Sequence, residues 1–378
     1  MEQHFYFSAP GRTEIGGNHT DHQHGRVLCG SVDLDMLAVA SPNEERVIRI
    51  RPAGFPPAEV ALDDLTPHAD ELNTSAALVR GVAAKIAELG HPIGGFDACV
   101  HSEVLIGSGL SSSAAFEVLV GVILNHFYCG GGLDAVTLAK IGQYAENVYF
   151  GKPCGLMDQT ACAVGGAVSI DFADPASPVV RPLNCDFARS GHALCIVDTR
   201  SEHADLTPDY AAIPREMAAV AAQFGKTHLR EVDETAFRAA IPALRKACGD
   251  RAVLRALHFF TENERAAQES QALEQGDFDR FLSLVRESGR SSALLLQNTW
   301  SPAHPEQQAI PLALATGEEL LGGTGAIRVH GGGFAGTIQA FVPFDRLDTF
   351  RQGMDTLLGE GSCKILRIRP QGGCVILE

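Results

Sequence analysis

The chain has 378 residues, a length that fits two domains of roughly 100–200 residues each. Hydrophobic residues make up 45% of the sequence and charged residues 20%, an ordinary globular composition that excludes a disordered or coiled-coil chain. Thirty Lys and Arg against 46 Asp and Glu give a net charge of −16, so the chain offers no basic surface to a nucleic acid.

The first half of the chain alternates strand-like and helix-like segments, which predicts mixed layers of α and β structure. These segments are residues 47–51, 74–89, 97–103 and 111–127. The last of them is the clearest helix, because apolar residues recur at helical spacing and serines precede them. Turn-forming prolines follow at 175 and 178. We therefore place a domain boundary near Gly191, which gives domains of residues 1–190 and 191–378.

The second half begins and continues with helices and then returns to strands. We predict a helix whose apolar face ends at Phe224, with Gly225 at its stop position. Two further helices and two strands are predicted at residues 250–274, 278–297, 326–330 and 337–342. The whole pattern predicts an α+β fold.

Targeting and redox features are sparse. The most apolar stretch, residues 114–124, contains Glu117 and is shorter than the ~18 apolar residues of a membrane-spanning helix, so no span is predicted. The first ten residues lack a basic region and a long apolar run, which predicts a cytoplasmic protein without a signal peptide. The ten cysteines form no C-x-x-C pair and are expected to be reduced thiols.

Residues 105–115, here called the serine loop, are the strongest chemical signal in the sequence. The glycines at 107 and 109 precede three consecutive serines at 111–113, directly before the predicted helix. The unpaired N–H groups and positive dipole end of that helix would make an anion site for a phosphate. An ordinary capped helix start is the alternative interpretation. The loop lacks the ending of a P-loop and the third glycine of the dinucleotide motif.

A second glycine-rich segment, residues 329–337, is here called the glycine cluster. Its spacing formally matches G-x-G-x-x-G, but the following residues resemble a strand, whereas a dinucleotide-binding fold requires a helix. His330 followed by three glycines resembles a lipase oxyanion loop, yet the chain has no G-x-S-x-G motif. A β-loop-β arrangement that lets the backbone approach a ligand is the favoured interpretation.

Residues 9–22, here called the signature segment, combine an arginine, an amide, imidazoles and a carboxylate among glycines. Alternating donors and acceptors suit a polyhydroxylated ligand. A metal site is an alternative, because four side chains within six residues can all coordinate metals: His19, Asp21, His22 and His24. A solvated loop is the third interpretation.

Residues 145–159, here called the carboxylate segment, place Asp158 beside small and apolar residues. Such a setting perturbs a carboxylate and suits proton transfer. The simpler interpretations are a helix cap for Asp158 and a surface charge for Glu146.

Together the four segments resemble the galactokinase branch of the GHMP small-molecule kinases. The signature segment is similar to its sugar motif, the serine loop to its phosphate loop, and residues 154–159 and the glycine cluster to its two other motifs, in the family's order. Weaker similarities occur at residues 209–216 and 255–265. The resemblance therefore extends over nearly the whole chain.

The resemblance implies a fold and an activity. The fold would have a ribosomal-protein-like N-terminal domain and a ferredoxin-like C-terminal domain, with the active site between them. The activity would be transfer of phosphate from ATP, with Mg²⁺, to the C1 hydroxyl of a sugar, in the first place galactose. The implied partners are sugar and ATP, with no nucleic acid or membrane, in a monomer or weak dimer.

The resemblance also implies roles for individual residues. Asp158 would accept the proton of the sugar hydroxyl, and Arg12 would stabilise that carboxylate and the transferred phosphoryl group. Ser113 and Glu146 would hold Mg²⁺. Sugar hydroxyls would contact Asn18, His19, Asp21, Gly155 and Tyr210. The nucleotide would contact Gly107, Ser108, Gly109, Leu110, Ser111, Ser112 and Ser113.

The signature segment departs from the family pattern at two positions. Asn18 replaces the usual Glu and His22 replaces an aromatic residue. Loss of a carboxylate at position 18 would reduce repulsion of an acidic sugar, so galacturonate is an alternative substrate, as is N-acetylgalactosamine. A non-catalytic sugar sensor related to the family is a further alternative.

Overall fold

The computed structural model describes residues 4–104, 109–152, 154–201 and 206–377. Within these residues the helices are α1 (Ser75–Glu88), α2 (Ser112–Tyr128), α3 (Ala135–Tyr144), α4 (Met157–Val164), α5 (Thr207–Ala222), α6 (Glu234–Cys248), α7 (Asp250–Gln275), α8 (Phe278–Ser291), α9 (Ala309–Leu321) and α10 (Leu347–Leu358). The strands are β1 (Phe5–Gly16), β2 (Arg26–Pro42), β3 (Val47–Pro52), β4 (Ala58–Ala61), β5 (Phe96–Ser102), β6 (Ala167–Asp171), β7 (Val179–Leu183), β8 (His192–Asp198), β9 (Ala326–His330), β10 (Thr337–Pro343), β11 (Cys363–Leu366) and β12 (Cys374–Leu377).

The larger sheet carries the signature segment. Its order is β12-β1-β2-β5-β3-β4, and β6 and β7 extend it beside β2. The β3–β5 pair is parallel and the other pairs are antiparallel. β12 comes from the end of the chain and pairs with β1, with Ser8 opposite Cys374. The last strand of the chain therefore lies in the first sheet, and the boundary near Gly191 stays a prediction.

Helices α1 to α4 cover one face of this sheet and bury the main core. α2 is the central helix, because its residues from Ala114 to Asn125 are all buried. Inward-facing side chains of β1 and β2, among them Phe7 and Ala38, belong to the same core. The packing places the N-terminal end of α2 beside β1. The backbone N–H of Arg12 in β1 donates to the carbonyl of Leu110, in the loop before α2, at 3.0 Å.

The smaller sheet has the order β11-β8-β10-β9, with all pairs antiparallel. Helices α9 and α10 pack on one of its faces, where Phe350 and Met354 are fully buried. The glycine cluster connects β9 to β10, and Thr337 pairs with His330 across it. Helices α5, α6 and α7 form a third apolar cluster around Phe237 and Phe259. No helix of the described residues is long and apolar enough to cross a membrane.

The predicted helices and strands are confirmed at most positions, with two corrections. A solvated loop was one interpretation of the signature segment, but its residues 9–16 belong to the buried strand β1, where pairing with β2 satisfies much of their backbone. The helix predicted to reach residue 297 leaves α geometry after Ser291 and ends in a π-helical turn at Leu296. Gln297 then adopts a left-handed conformation with a φ of 58°.

Candidate active site

Three of the four segments meet at the Arg12 side chain. Arg12 Nε donates to Asp158 Oδ1 at 2.8 Å, and its Nη1 donates to the carbonyl of Gly109. The guanidinium therefore joins β1, the serine loop and the start of α4. The fold brings these residues together although 146 positions separate Arg12 from Asp158 in the sequence.

Asp158 lies in the first turn of α4 rather than before the helix, and its side chain is 29% exposed. Its second oxygen, Oδ2, accepts a hydrogen bond from Ser111 Oγ at 2.5 Å. Burial raises the pKa of Asp158, but Arg12, Ser111 and Lys152 lower it, and the result lies below the ordinary value. The carboxylate is thus ionised at neutral pH and can accept a hydroxyl proton.

The Ser111 hydroxyl donates to Asp158 and does not cap its own helix. Ser111 occupies the N-cap position of α2 with a left-handed φ of 57° and makes no capping hydrogen bond. Such a conformation is costly for a residue other than glycine and persists where the surroundings impose it. The first-turn N–H groups of α2 consequently stay available for an anion.

Ser113 and Glu146 form a second polar pair close to this junction. Ser113 Oγ donates to Glu146 Oε1 at 3.1 Å, and the Glu146 side chain is only 2% exposed. Gln159 Nε2 holds the other oxygen of Glu146 at 2.8 Å and also donates to Glu117 Oε2 at 2.9 Å. Hydroxyl and carboxylate oxygens are the ligands that Mg²⁺ prefers, so this pair fits the predicted metal.

The remaining nucleotide residues predicted from the sequence have different surroundings. Gly109 packs against His330 and Thr337, since an added Cβ would lie 3.2 Å and 3.0 Å from their polar atoms. Leu110 is buried, whereas Ser112 is half-buried at the start of α2. Gly107 and Ser108 lie outside the described residues.

A cavity of about 550 Å³ opens beside Arg12 and extends away from the serine loop. The predicted residues His19, Asp21, Gly155 and Tyr210 line it. The other lining residues are Glu14, His22, His24, Gln143, Cys154, Leu156, Met157, Phe172, Pro175, Pro214, Gly331 and Gly332. This volume falls within the about 300–1,000 Å³ that is typical of small-molecule sites.

The polar wall of the cavity presents acceptors and neutral imidazoles. His19 Nε2 lies 3.0 Å from the carbonyl of Gly332, and its Nδ1 lies 3.2 Å from His22 Nε2. Burial lowers the pKa of both imidazoles, so they are neutral at pH 7. Tyr210 OH donates to the carbonyl of Gly333 at 2.8 Å, which connects α5 to the glycine cluster.

Asp21 is held against Gly155. A Cβ on Gly155 would lie 2.2 Å from Asp21 Oδ2, so only glycine leaves room for this carboxylate. Burial raises the pKa of Asp21 to about 6. The carboxylate is therefore an acceptor at neutral pH that becomes protonated in mild acid.

Asn18 lies behind the cavity wall, where its side chain is fully buried. Its Nδ2 donates to Glu14 Oε1 at 3.0 Å and to the Gly331 carbonyl at 2.7 Å. Its Oδ1 accepts from Asn298 Nδ2 at 2.9 Å and from Ser292 Oγ at 3.2 Å. These protein partners use the amide fully, so Asn18 acts on the cavity through Glu14 and the glycine cluster.

The structure adds contacts from three polar side chains of the smaller sheet, of which Arg328 and Gln339 were not singled out from the sequence. Arg328 Nη2 donates to Glu14 Oε1 at 2.5 Å, and its Nη1 donates to the Ile15 carbonyl at 2.8 Å. Gln339 Nε2 donates to the Glu14 carbonyl at 2.9 Å. His330 Nε2 accepts the Glu14 N–H at 3.3 Å. They attach the smaller sheet to the signature segment, a pairing between distant residues that no local pattern indicates.

The metal site that was an alternative interpretation of the signature segment is not found. Among the residues that the structure describes, no group of three or more His, Cys, Asp or Glu side chains is arranged to hold a metal ion. His24 instead stacks on His228, with ring centroids 3.6 Å apart.

Two family models match the segments that form this site. The model of the GHMP kinase N-terminal domain matches residues 77–166, and the model of the galactokinase galactose-binding signature matches residues 1–42. The first range contains the serine loop and Asp158, and the second contains the signature segment.

Whole-chain comparisons agree with these matches. The chain is 32% identical over 369 residues to a curated galactokinase of Streptomyces coelicolor, covering 96% of this chain and 90% of that protein. The crystal structure of Lactococcus lactis galactokinase in complex with galactose matches with a TM-score of 0.82 at 25% identity, covering 99% and 95% of the two chains. Methanococcus jannaschii mevalonate kinase shares the fold, with a TM-score of 0.69 at 13% identity and coverage of 97% and 98%. The α+β fold predicted from the sequence is confirmed, and the chain belongs to the galactokinase family of GHMP kinases.

Proposed function

We propose that this protein transfers the terminal phosphate of ATP to the C1 hydroxyl of galactose. The observation that carries the proposal is the Arg12–Asp158 pair, with 2.8 Å between Nε and Oδ1, at the junction of the cavity and the serine loop. A sugar in the cavity and a phosphate at the start of α2 would meet at this pair. The curated Streptomyces coelicolor relative and the Lactococcus lactis structure are both galactokinases, and the Lactococcus lactis structure contains galactose.

The roles of the two residues follow from the charges at the junction. Asp158 is ionised and would act as the general base, which accepts the proton of the attacking hydroxyl. Arg12 keeps its charge next to Asp158 and would neutralise the oxygens of the phosphoryl group. Positioning and charge neutralisation are the main contributions to phosphoryl transfer.

Ser113 and Glu146 would hold the Mg²⁺ that accompanies ATP. The ion, when bound, neutralises charge on the β- and γ-phosphates. Gln159 fixes the orientation of Glu146 from behind, since it donates to Oε2 and leaves Oε1 toward Ser113. The N-terminus of α2 and the backbone of Gly109 would contact the phosphates.

The charges in the cavity favour a neutral hexose over galacturonate. The carboxylate of Glu14 lines the same cavity and bonds to Asn18, but it is paired with Arg328. Asp21 adds a second carboxylate, and the neighbouring imidazoles are neutral. An acidic sugar would therefore meet the carboxylate of Asp21, while the nearby cations Arg12 and Arg328 are already paired with other carboxylates.

A substrate panel tests the proposed function. Galactose, N-acetylgalactosamine, galacturonate and glucose are each incubated with MgATP, and ADP release and the phosphorylated product are measured. We expect galactose to be the best substrate and galacturonate to be phosphorylated at no more than about one tenth of its kcat/KM, the cost of about one unfavourable charge contact of ~1.4 kcal/mol. Efficient turnover of galacturonate, or none of galactose, would contradict the proposal.

Sugar affinity should depend on pH through Asp21. Because its carboxylate has a pKa of about 6, it is ionised above that pH and protonated below it. We expect KM for galactose to rise about tenfold between about pH 7 and pH 5, following the loss of the ionised acceptor. Initial rates over this pH range in wild type and Asp21→Asn provide the measurement. A rise of the same size in Asp21→Asn would assign the titration to another group, such as Glu14.

A further inference from the structure

Lys152 is a lysine without an assigned role that contacts one of the two carboxylates of the site. Lys152 follows the π-helical turn that contains Glu146 and precedes α4, which contains Asp158. Its Nζ lies 3.4 Å from Glu146 Oε1, the same oxygen that accepts from Ser113 Oγ. It is also one of the cations that act on Asp158. The positive charge of Lys152 thus contacts Glu146 and acts on Asp158.

The two cations near Asp158 differ in their freedom to bind a new ligand. The Arg12 side chain is 8% exposed and already donates to Asp158 and to the Gly109 carbonyl. The Lys152 side chain is 63% exposed, and its ammonium group has three donors. Lys152 can therefore turn toward a ligand by giving up a single long contact, the 3.4 Å pair with Glu146 Oε1.

An incoming nucleotide requires positive charge at this place. ATP carries several negative charges, and the chain has a net charge of −16, so the overall field repels it. The α2 N-terminus supplies only about half an elementary charge. Glu146 and Asp158 also add negative charge to the site. The exposed ammonium group of Lys152 beside Glu146 would offset that repulsion.

We propose that Lys152 binds the terminal phosphate of ATP. This inference deepens the proposed function and rests on it for the position of the nucleotide. In the proposed function Glu146 would face the metal and Asp158 the sugar hydroxyl, so a cation that contacts Glu146 and acts on Asp158 would lie against the terminal phosphate. When nucleotide enters, the ammonium group exchanges its contact with Glu146 for phosphate oxygens, leaving Glu146 Oε1 to the metal.

Nucleotide binding to three variants tests the assignment. Lys152→Met removes the charge and retains most of the side-chain length, Lys152→Arg restores the charge, and Lys140→Met is a matched control on the neighbouring α3. Calorimetry measures Kd for ATP and ADP, with Mg²⁺ and with a chelator, and circular dichroism checks the fold. For Lys152→Met we expect Kd for ATP to rise about tenfold with or without Mg²⁺, the loss of one charge-assisted hydrogen bond. Kd for ADP should change less than about twofold, because ADP lacks the terminal phosphate.

The controls separate a phosphate contact from a structural ion pair with Glu146. Lys152→Arg should bind ATP within about threefold of wild type, and Lys140→Met should be unchanged. KM for the sugar should stay constant in all three variants. Equal losses for ATP and ADP, or no loss in Lys152→Met, would overturn the assignment. A wild-type protein that binds ATP through Lys152 yet leaves galactose unphosphorylated would contradict the proposed substrate and leave the lysine assignment intact.

Discussion

Replacement of Asp158 by Asn is expected to lower kcat by about 10²- to 10⁴-fold, the usual contribution of a general base. The amide cannot accept the hydroxyl proton, although it retains the size of the carboxylate and an oxygen for Ser111 Oγ. KM for both substrates should change little, because Arg12 keeps its bond to the Gly109 carbonyl. Steady-state kinetics with galactose and ATP provide the measurement.

A matched control comes from an exposed aspartate in the turn after β4. Asp63 is 81% exposed and pairs with the exposed Arg46. Asp63→Asn should retain wild-type kcat and thermal stability. If Asp158→Asn turned over at a rate close to that of wild type, the base would have to be another group, and the role of the Arg12–Asp158 pair would be limited to structure.

Replacement of Arg328 by Met is expected to reduce the free energy of unfolding by about 3 kcal/mol. Arg328 is fully buried, and its removal leaves the carboxylate of Glu14 without its cation. Loss of one partner of a buried ion pair costs about 3–5 kcal/mol. The lower end applies because burial already raises the pKa of Glu14, so a proton can neutralise it. Urea unfolding of the variant and wild type provides the measurement.

The pH dependence and a second substitution identify the cause of this loss. A group with a raised pKa in the folded state stabilises the fold at low pH and loses that contribution as pH rises. The difference between Arg328→Met and wild type should therefore be smaller at pH 5 than at pH 8. Glu14→Gln in the Arg328→Met background should recover stability. Arg189→Met, at an 85% exposed position, is the control. Equal losses at both pH values would mean that the backbone contacts of Arg328, rather than its charge, stabilise the fold.

Local patterns in the sequence predicted those parts of the site that are short and continuous. The serine loop could be recognised because its glycines, hydroxyls and following helix are adjacent in sequence. An anion site at the start of a helix depends only on such neighbouring residues, through their free N–H groups and the helix dipole. Asp158 could be recognised as a perturbed carboxylate, but its environment could not, since Arg12 and Ser111 come from distant segments. The strand β1 was missed because its residues from Phe7 to Gly16 are all buried, so it shows no alternation, and its glycines and polar residues do not form the continuous apolar run of a fully buried strand.

The sequence by itself determined the family, the α+β class and the types of residue available for phosphate, metal and sugar. These depend on short motifs that can be recognised without knowledge of the tertiary contacts. The tertiary structure alone decided which charges face the sugar. Asn18 proved to be buried behind Glu14, and Arg328 and Gln339 arrive from a sheet that begins nearly 200 positions later. Electrostatic effects act over a few ångströms in space, and sequence separation carries no information about such distances.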